Sequence, residues 1–336
     1  MSSFTFLNSY DMIDSTKLNP MKEDYGTMKD KKIKQLTEVA HLYYEQNKTQ
    51  NEIAMLYGIS RPLVSRLLKD ARDCGIVRIE IGAPTESDCL IQNRLHHLFH
   101  IKNSVFVPSS DNDSFTNDLL AKAAIQYMVN LKQEYYGIGW GHIIGNMIDY
   151  MEQHEPIKGL AGQICPLIGN SGMGNRNYHS NELVRIFALQ TNSVPEYLYA
   201  PAFVSSRQEL NLMKELENCK SIQNTWDHLQ VALVNIGNYP STPDFASAAR
   251  YGSMLTTGKA VGRMLGYFFD AQGNIFHSDT DYMLQIPLES LAHIPHVIGF
   301  CSSNTNPVAL LGALRSGYIN HLIAREDTVQ SALKLI

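Results

Sequence analysis

Arg61 and Arg66 are the two residues of this 336-residue chain whose chemistry is easiest to name. A guanidinium is a planar fork of donors that pairs in two places with the O6 and N7 atoms of guanine. Ser60 and Ser65 lie beside them with hydroxyls that can reach a base or a phosphate, and Lys69, a compact charge further along, suits a phosphate. A second kind of chemistry is suggested by glycine-rich turns. In GIGWGH, residues 137–142, Gly139 and Gly141 would let a backbone approach a ligand, Trp140 could line a ligand mouth or sit in the core, and His142 opens a helix whose N-terminus favours an anion. The same turn could serve only to pack a strand closely against a helix. IGNSGMGNRN, residues 168–177, repeats the pattern, with Asn170 and with Arg176 as a candidate anion partner. In FFDAQGN, Asp270 could accept from sugar hydroxyls or hold the Asp-Ala-Gln-Gly turn.

The arginines need an element to present them, and the stretch from Thr49 to Gly75 supplies one. Thr49 and Glu52 have the spacing of a capping box, which predicts a helix start. Ile53, Ala54, Leu56 and Tyr57 give that helix one apolar face, and Gly58 falls where the chain must turn sharply. Ser60 is the expected cap of a second helix, with Pro62 in its first turn, where a missing N–H costs nothing. Leu63, Val64, Leu67, Leu68 and Ala71 are expected to face inward, leaving Ser60, Arg61, Ser65, Arg66 and Lys69 outside. An ordinary αα-hairpin within a core is the bland alternative, but it needs no pair of arginines on the second helix's first turns. A helix-turn-helix puts those turns in the major groove. Upstream, residues 31–46 read as a third helix through Ile33, Leu36, Val39, Ala40 and Tyr43. Downstream, residues 76–81 alternate as a strand does and could form a wing.

One such head uses a small part of the chain, so a second domain of roughly 250 residues is expected. The predicted boundaries are a loose tail over 1–28, the helix-turn-helix domain over 29–82, a linker over 83–88, and an effector-binding and oligomerisation domain over 89–336. Charge follows this division: residues 29–82 carry ten basic against seven acidic side chains, whereas the whole chain is net −5. A basic end on an acidic body suits DNA contact confined to that end. The five cysteines are scattered without a CxxC pair and the histidines show no ligand spacing, so neither a disulfide framework nor a metal site is expected, and no cofactor. No apolar run reaches the length of a membrane helix, so a cytoplasmic protein is the expectation, with no membrane partner.

Along the larger domain, short apolar strands alternate with helices. Strands are predicted at 104–107, 135–138, 163–168, 231–236, 297–301 and 319–324, with an extended segment at 196–199. Helices are predicted over 89–99, 115–131, 142–153, 181–190, 208–219, 307–314 and 327–335. Such alternation predicts an α/β domain, a mostly parallel sheet covered by helices. Ligands of such sheets bind beyond the carboxyl ends of the strands, where the glycine-rich turns fall.

Several segments taken together resemble the SorC family of bacterial sugar-responsive transcriptional regulators. They are LTEVAHLYYEQNKTQNEIAMLYGISRPLVSRLLKDARDCGIVRIEI from Leu36, GIGWG at Gly137, NELVRIFA at Asn181, YLYAPAF at Tyr197, AVGRMLGYFFDAQGN at Ala260, IPHVIGF at Ile294 and ALRSGYINHLI at Ala313. The resemblance implies an effector domain similar to sugar-phosphate isomerases and deaminases, a sugar or sugar phosphate as effector, operator DNA as partner, and self-association as a dimer or tetramer. Together with the glycine-rich turns, it puts the effector pocket at residues 139–143, residues 170–176, Asp270 and the loop over 302–306, with Gly139, Trp140, Gly141, His142, Asn170, Arg176, Asp270, Ser302, Ser303 and Asn306 as the candidate residues. Three departures stand out. His142 and Ile143 occupy positions where the family has a basic residue and a threonine. Ser302, Ser303 and Asn306 replace a glycine pair and a lysine, and Arg325, Glu326 and Asp327 replace Thr-Asp-Glu. The first two changes remove phosphate-binding groups, and Arg325 could restore a positive charge.

The leading reading is a DNA-binding regulator of a carbohydrate-utilisation operon controlled by that effector. A second keeps the head but makes the body a scaffold with a decayed site. A third, an isomerase- or deaminase-type enzyme, needs an acid/base pair, and the carboxylates at Asp244, Asp270 and Glu326 have no lysine beside them in these loops.

Overall fold

In the computed structural model, the residues described are 21–44, 46, 48–74, 76–77, 86–241 and 249–336. They fall into two compact units, Met1–Ile81 and Gly82–Ile336. Asp244 and residues 78–85, which include most of the expected wing and linker, lie outside the described residues.

The head contains three helices, α1 (Met21–Tyr44), α2 (Gln50–Tyr57) and α3 (Arg61–Asp73). Helix α1 begins earlier than the expected tail allows: residues 21–28 form its first turns. Met21, Lys22 and Glu23, all good helix formers, open it. The three helices bury one small core: Leu36, Val39 and Ala40 from α1, Ile53 and Ala54 from α2, and Val64, Leu67, Leu68 and Ala71 from α3. The inward set is narrower than the sequence suggested. Ile33, Leu56 and Leu63 are exposed, because each helix buries only the part of its apolar stripe that meets the other two. Polar contacts tie the helices at their rims, with Lys32 paired to Asp70 at 3.4 Å and the Tyr57 hydroxyl donating to Glu38 at 3.1 Å. Ile76 and Val77 pack beside this core as a bend, and the Val77 N–H donates to the Ala71 carbonyl.

The larger unit is built on a parallel sheet in the order β1-β9-β8-β5-β2-β3-β4. These strands are β1 (Asn103–Val107), β2 (Tyr135–Ile138), β3 (Gln163–Pro166), β4 (Val194–Pro195), β5 (Val231–Asn238), β8 (His296–Phe300) and β9 (His321–Arg325). Helices α4 (Glu86–Phe99), α5 (Asp113–Leu131), α6 (His142–Glu152), α7 (Ser180–Thr191), α8 (Arg207–Glu215) and α9 (Glu217–Trp226) connect or cover them, and Pro307–Arg315 and Glu326–Leu333 complete the cover. Strands β5 and β8 are buried almost throughout, as strands with both faces covered must be.

Three expectations change. The segment expected to be extended at 196–199 is preceded by an unexpected short strand, β4, whose pairing with β3 ends at Pro195, and the Leu198 N–H goes to the Asn181 side chain. The single helix expected over 208–219 is two, broken where Leu216 takes an extended conformation. An antiparallel hairpin, β6 (Ala260–Met264) and β7 (Tyr267–Asp270), was not anticipated. It pairs with the end of β5 that projects past its parallel neighbours, placing Arg263 opposite Gly237.

Candidate functional sites: an exposed helix face and a polar cavity

In the head, the first expected cap and the turn are present, and the second cap is not. Thr49 and Glu52 form the capping box, with the Thr49 N–H donating to the Glu52 carboxylate at 2.8 Å. These bonds hold the Glu52 carboxyl below its usual range. Gly58 is left-handed at φ 62°, and nothing lies within 4 Å of where a Cβ would be, so the backbone conformation alone asks for glycine. Ser60 precedes α3 in an extended conformation but makes no capping bond with its side chain, and Pro62 carries the helix start instead. The exposed Ser60 hydroxyl thus joins Arg61, Ser65, Arg66 and Lys69, all exposed, on the face opposite Val64, Leu67, Leu68 and Ala71. This is a cationic, hydrogen-bonding surface fixed to a rigid helix.

In the larger unit, the parallel order brings the carboxyl ends of β8, β5, β2 and β3 to one edge. A cavity of about 320 Å³ opens there. His142 enters from the N-terminus of α6; Asn175, Asn177 and Tyr178 come from the segment after β3. Strand β5 contributes Asn235 to Asn238, with Ser241 just beyond, β6 contributes Arg263, and the turn after β8 gives Ser302 and Asn304. Amides and hydroxyls that both donate and accept dominate this lining, which is the chemistry that neighbouring hydroxyl groups of a polyol require. A more open depression of about 650 Å³ has its lining from α8 alone and lacks such convergence.

The lining is pre-set by internal bonds. Asn238 clamps the turn after β8 from both ends, its Nδ2 donating to the Asn304 carbonyl at 2.9 Å and its Oδ1 accepting the Asn306 N–H at 2.7 Å. The Ser302 hydroxyl donates to Asn304 Oδ1 at 2.7 Å. Gly141, at φ 124°, begins α6, and a Cβ there would collide with the Asn235 amide. Its absence is what lets that amide sit beside the helix start.

Of the effector residues named from sequence, His142 and Ser302 line the cavity and the others do not. Gly139 is a packing glycine, since a Cβ on it would come within 2.7 Å of Leu265. Trp140 is buried, edge-on to Tyr178 at 5.8 Å and 6.2 Å from Phe203, so it backs the wall. Its indole N–H has no partner among the described residues. Asn170 Oδ1 accepts the Asn181 N–H at the start of α7. Arg176 is held by Glu152 at 2.8 Å and by Asp149, both on α6. Ser303 is buried, its N–H on Asn117. Asn306 caps the Pro307–Arg315 helix, accepting the Val308 N–H at 2.8 Å.

Asp270 takes the second of its two readings. Its carboxylate accepts from the N–H groups of Gln272 and Asn274 and from the Asn274 amide, each at 2.9 Å, which closes its own turn. That turn lies against the C-terminal end of the Pro307–Arg315 helix. Ile143 is fully buried, and Arg325 pairs with Asp327 while donating to the Ser303 carbonyl. Among the described residues no cluster of three potential metal ligands occurs, and no helix is long and apolar enough to cross a membrane.

The segments singled out from sequence contain Asn175, Asn177 and Asn304 without naming them, and sequence reading missed Asn235, Asn238, Arg263, Tyr178 and Ser241. A signal did exist for Asn235 and Asn238, which are polar residues at the carboxyl end of an otherwise apolar strand, where ligands bind. None existed for Arg263, whose placement follows from the hairpin's register with β5.

Comparison with known proteins supplies the context. The Sugar-bind family model, a sugar-binding domain, matches residues 83–334. The sorbitol operon regulator of Klebsiella pneumoniae is 30% identical over 314 residues, 90% of this chain and 98% of its own length. The deoxyribonucleoside regulator of Bacillus subtilis is 27% identical over the same shares of the two chains. The crystal structure of the full-length Klebsiella regulator aligns with a TM-score of 0.68 at 27% identity, covering 90% of this chain and 99% of that one.

Proposed function

The chain belongs to the SorC family of sugar-binding bacterial transcriptional regulators, and on that premise we propose how it works. It is a sequence-specific DNA-binding regulator of a carbohydrate-utilisation operon. The face of α3 reads the operator, and a sugar or sugar phosphate in the cavity at the carboxyl ends of β8, β5, β2 and β3 controls that binding. Its relatives are regulators by name, so the isomerase- or deaminase-type reading is set aside. The observation that carries the proposal is the exposed set Arg61, Ser65, Arg66 and Lys69 on a helix whose other face is wholly committed to a core. Arg61 and Arg66 then pair with base edges, while Ser60, Ser65 and Lys69 reach the backbone or neighbouring bases.

One such face makes few contacts, so tight binding needs two heads acting together on a two-fold or repeated site, which implies a homo-oligomer. A footprint on the chromosomal DNA flanking the chain's own coding region, with and without candidate sugars, tests the scheme. A protected two-fold or repeated site that changes when a sugar is added is the expected result. Protection that no sugar alters would remove the effector half, and no protection at all would remove the DNA half. A monomer by light scattering at micromolar concentration, with and without DNA, would remove the oligomer.

A further inference from the structure

At the amino ends of the strands, the edge opposite the cavity, lies a chain of titratable side chains that neither site uses. His321 opens β9 and His296 opens β8, with His321 in register with Asn103 of β1. The Tyr127 hydroxyl, from α5, stands 2.5 Å from His321 Nδ1, and His321 Nε2 stands 3.0 Å from His296 Nδ1. Tyr127 is 9% exposed and His321 4%. Two hydrogen bonds thus join three elements.

The direction of the chain follows from its first member. The Asn103 side chain bonds to the Tyr127 hydroxyl, and its Oδ1 already accepts the Ser104 N–H, so its amide is the donor. Tyr127 then donates to His321 Nδ1, which leaves the His321 proton on Nε2, donating to His296 Nδ1. Every junction holds one hydrogen and one lone pair, and both imidazoles are neutral. A further proton sets two donors against each other at one junction, or reverses the chain and turns the Tyr127 hydrogen out of it. Charge opposes that proton as well. Among the described residues, the charged or titratable groups that act on His321 are His296 and Lys102, with Tyr127 against its Nδ1, and Lys102 acts on His296 too. None is a carboxylate that could offset an imidazolium, and the Lys102 ammonium is held nearby on the Pro295 carbonyl at 3.0 Å.

We propose that this chain is an acid-sensitive latch on the larger unit, tying α5, β9 and β8 together while both histidines are neutral and letting go when either takes a proton. Strand β8 leads into the turn that brings Ser302 and Asn304 to the cavity, so the latch holds the far end of an element the cavity depends on. It goes beyond the regulator reading and holds whichever ligand the cavity takes. Burial, followed by the charges of His296 and Lys102, pushes the His321 imidazole down to about 4, and burial with Lys102 holds His296 below the usual histidine range. The unfolded chain therefore takes these protons first as the pH falls. Stability from the latch is complete above the ordinary histidine pKa and drains away below it, by about tenfold in the folding constant per pH unit for each histidine, until the folded chain protonates as well.

The test is chemical unfolding of the full chain at pH 7 and at pH 5, followed by tryptophan fluorescence, since both tryptophans, Trp140 and Trp226, are buried in the larger unit. Between those two pH values the parent should lose about 20-fold or more in folding constant through His321 alone. His321→Gln, whose amide can still accept from Tyr127 and donate to His296, should flatten that fall to a few-fold. His296→Gln should flatten it in part, and His97→Gln, at an exposed position of α4, should leave it as it is. A second measurement needs no variant: exchange of the histidine C2 hydrogen for deuterium, resolved by mass spectrometry, follows each imidazole in the parent, and His321 should titrate well below the ordinary histidine range. A parent whose stability is level from pH 7 to pH 5, a fall that survives both His321→Gln and His296→Gln, or a His321 that titrates at an ordinary histidine pKa would overturn the latch.

Discussion

The two sites of this protein are assembled in opposite ways. The head's surface comes from one helix, where Arg61, Ser65 and Lys69 follow each other at intervals of four and the backbone alone brings them to one side. The cavity draws on α6, the segment after β3, β5, β6 and the turn after β8, positions spread from His142 to Asn304 that only the sheet order makes neighbours. A local site can be changed one residue at a time with predictable loss. An assembled site depends on groups that never touch the ligand, such as Gly141 beside Asn235.

That contrast is tested most severely by removing the head's support. Leu68→Ala opens a hole in a core of nine buried residues, at a cost of about 2–5 kcal/mol, which a core this small cannot absorb. DNA binding should vanish in a gel-shift titration, while sugar binding by calorimetry stays as it was. Loss of both together would show that the two sites are not independent.

Next in size are the contacts themselves. Arg61→Ala and Arg66→Ala should each weaken operator binding by about 1–3 kcal/mol if the side chain pairs with a base edge. Head stability should not change, since both side chains are exposed. Gel shifts that match the parent for both variants would mean that α3 does not lie in the groove.

In the cavity, Asn238→Ala removes two clamps of the turn after β8 at once. A loss of about 1–2 kcal/mol in sugar affinity is expected, at about 1 kcal/mol per hydrogen bond. The cost should exceed that of a His142→Ala variant, because the histidine is exposed and reaches the cavity from outside. The reverse order in calorimetry would show that the turn is rigid without Asn238.

How much the sequence disclosed follows the same division. Capping box, turn glycine and helix face in the head were legible because each is written within a few consecutive residues. The parallel sheet was legible as well, since alternating short apolar strands and helices have few other solutions. The cavity was read only in part, because glycine-rich turns mark close packing as well as ligand approach. Gly139 packs on Leu265, and Gly141 makes room for Asn235. Arg263 was beyond reach, since it depends on a hairpin whose pairing partner, the far end of β5, puts Gly237, 26 residues earlier in the chain, opposite it.

Asp270 offers the smallest effect and the sharpest distinction. From sequence, the Asp270 carboxylate could be a sugar acceptor, and Asp270→Ala would then abolish ligand binding. In the structure both its oxygens are used at home, taking two backbone N–H groups and one amide within a five-residue turn. The turn is partly exposed, so water can replace some of these bonds, and the net cost of losing them should be about 1 kcal/mol of stability. A slight fall in the body's melting temperature is therefore expected, with sugar affinity and DNA binding unchanged. Asp270→Asn should recover part of the loss, because an amide oxygen can still accept the N–H groups of Gln272 and Asn274. Should calorimetry instead show sugar binding gone in Asp270→Ala while the melting temperature holds, the carboxylate would have to leave its turn when the ligand arrives, and the cavity would extend past the hairpin.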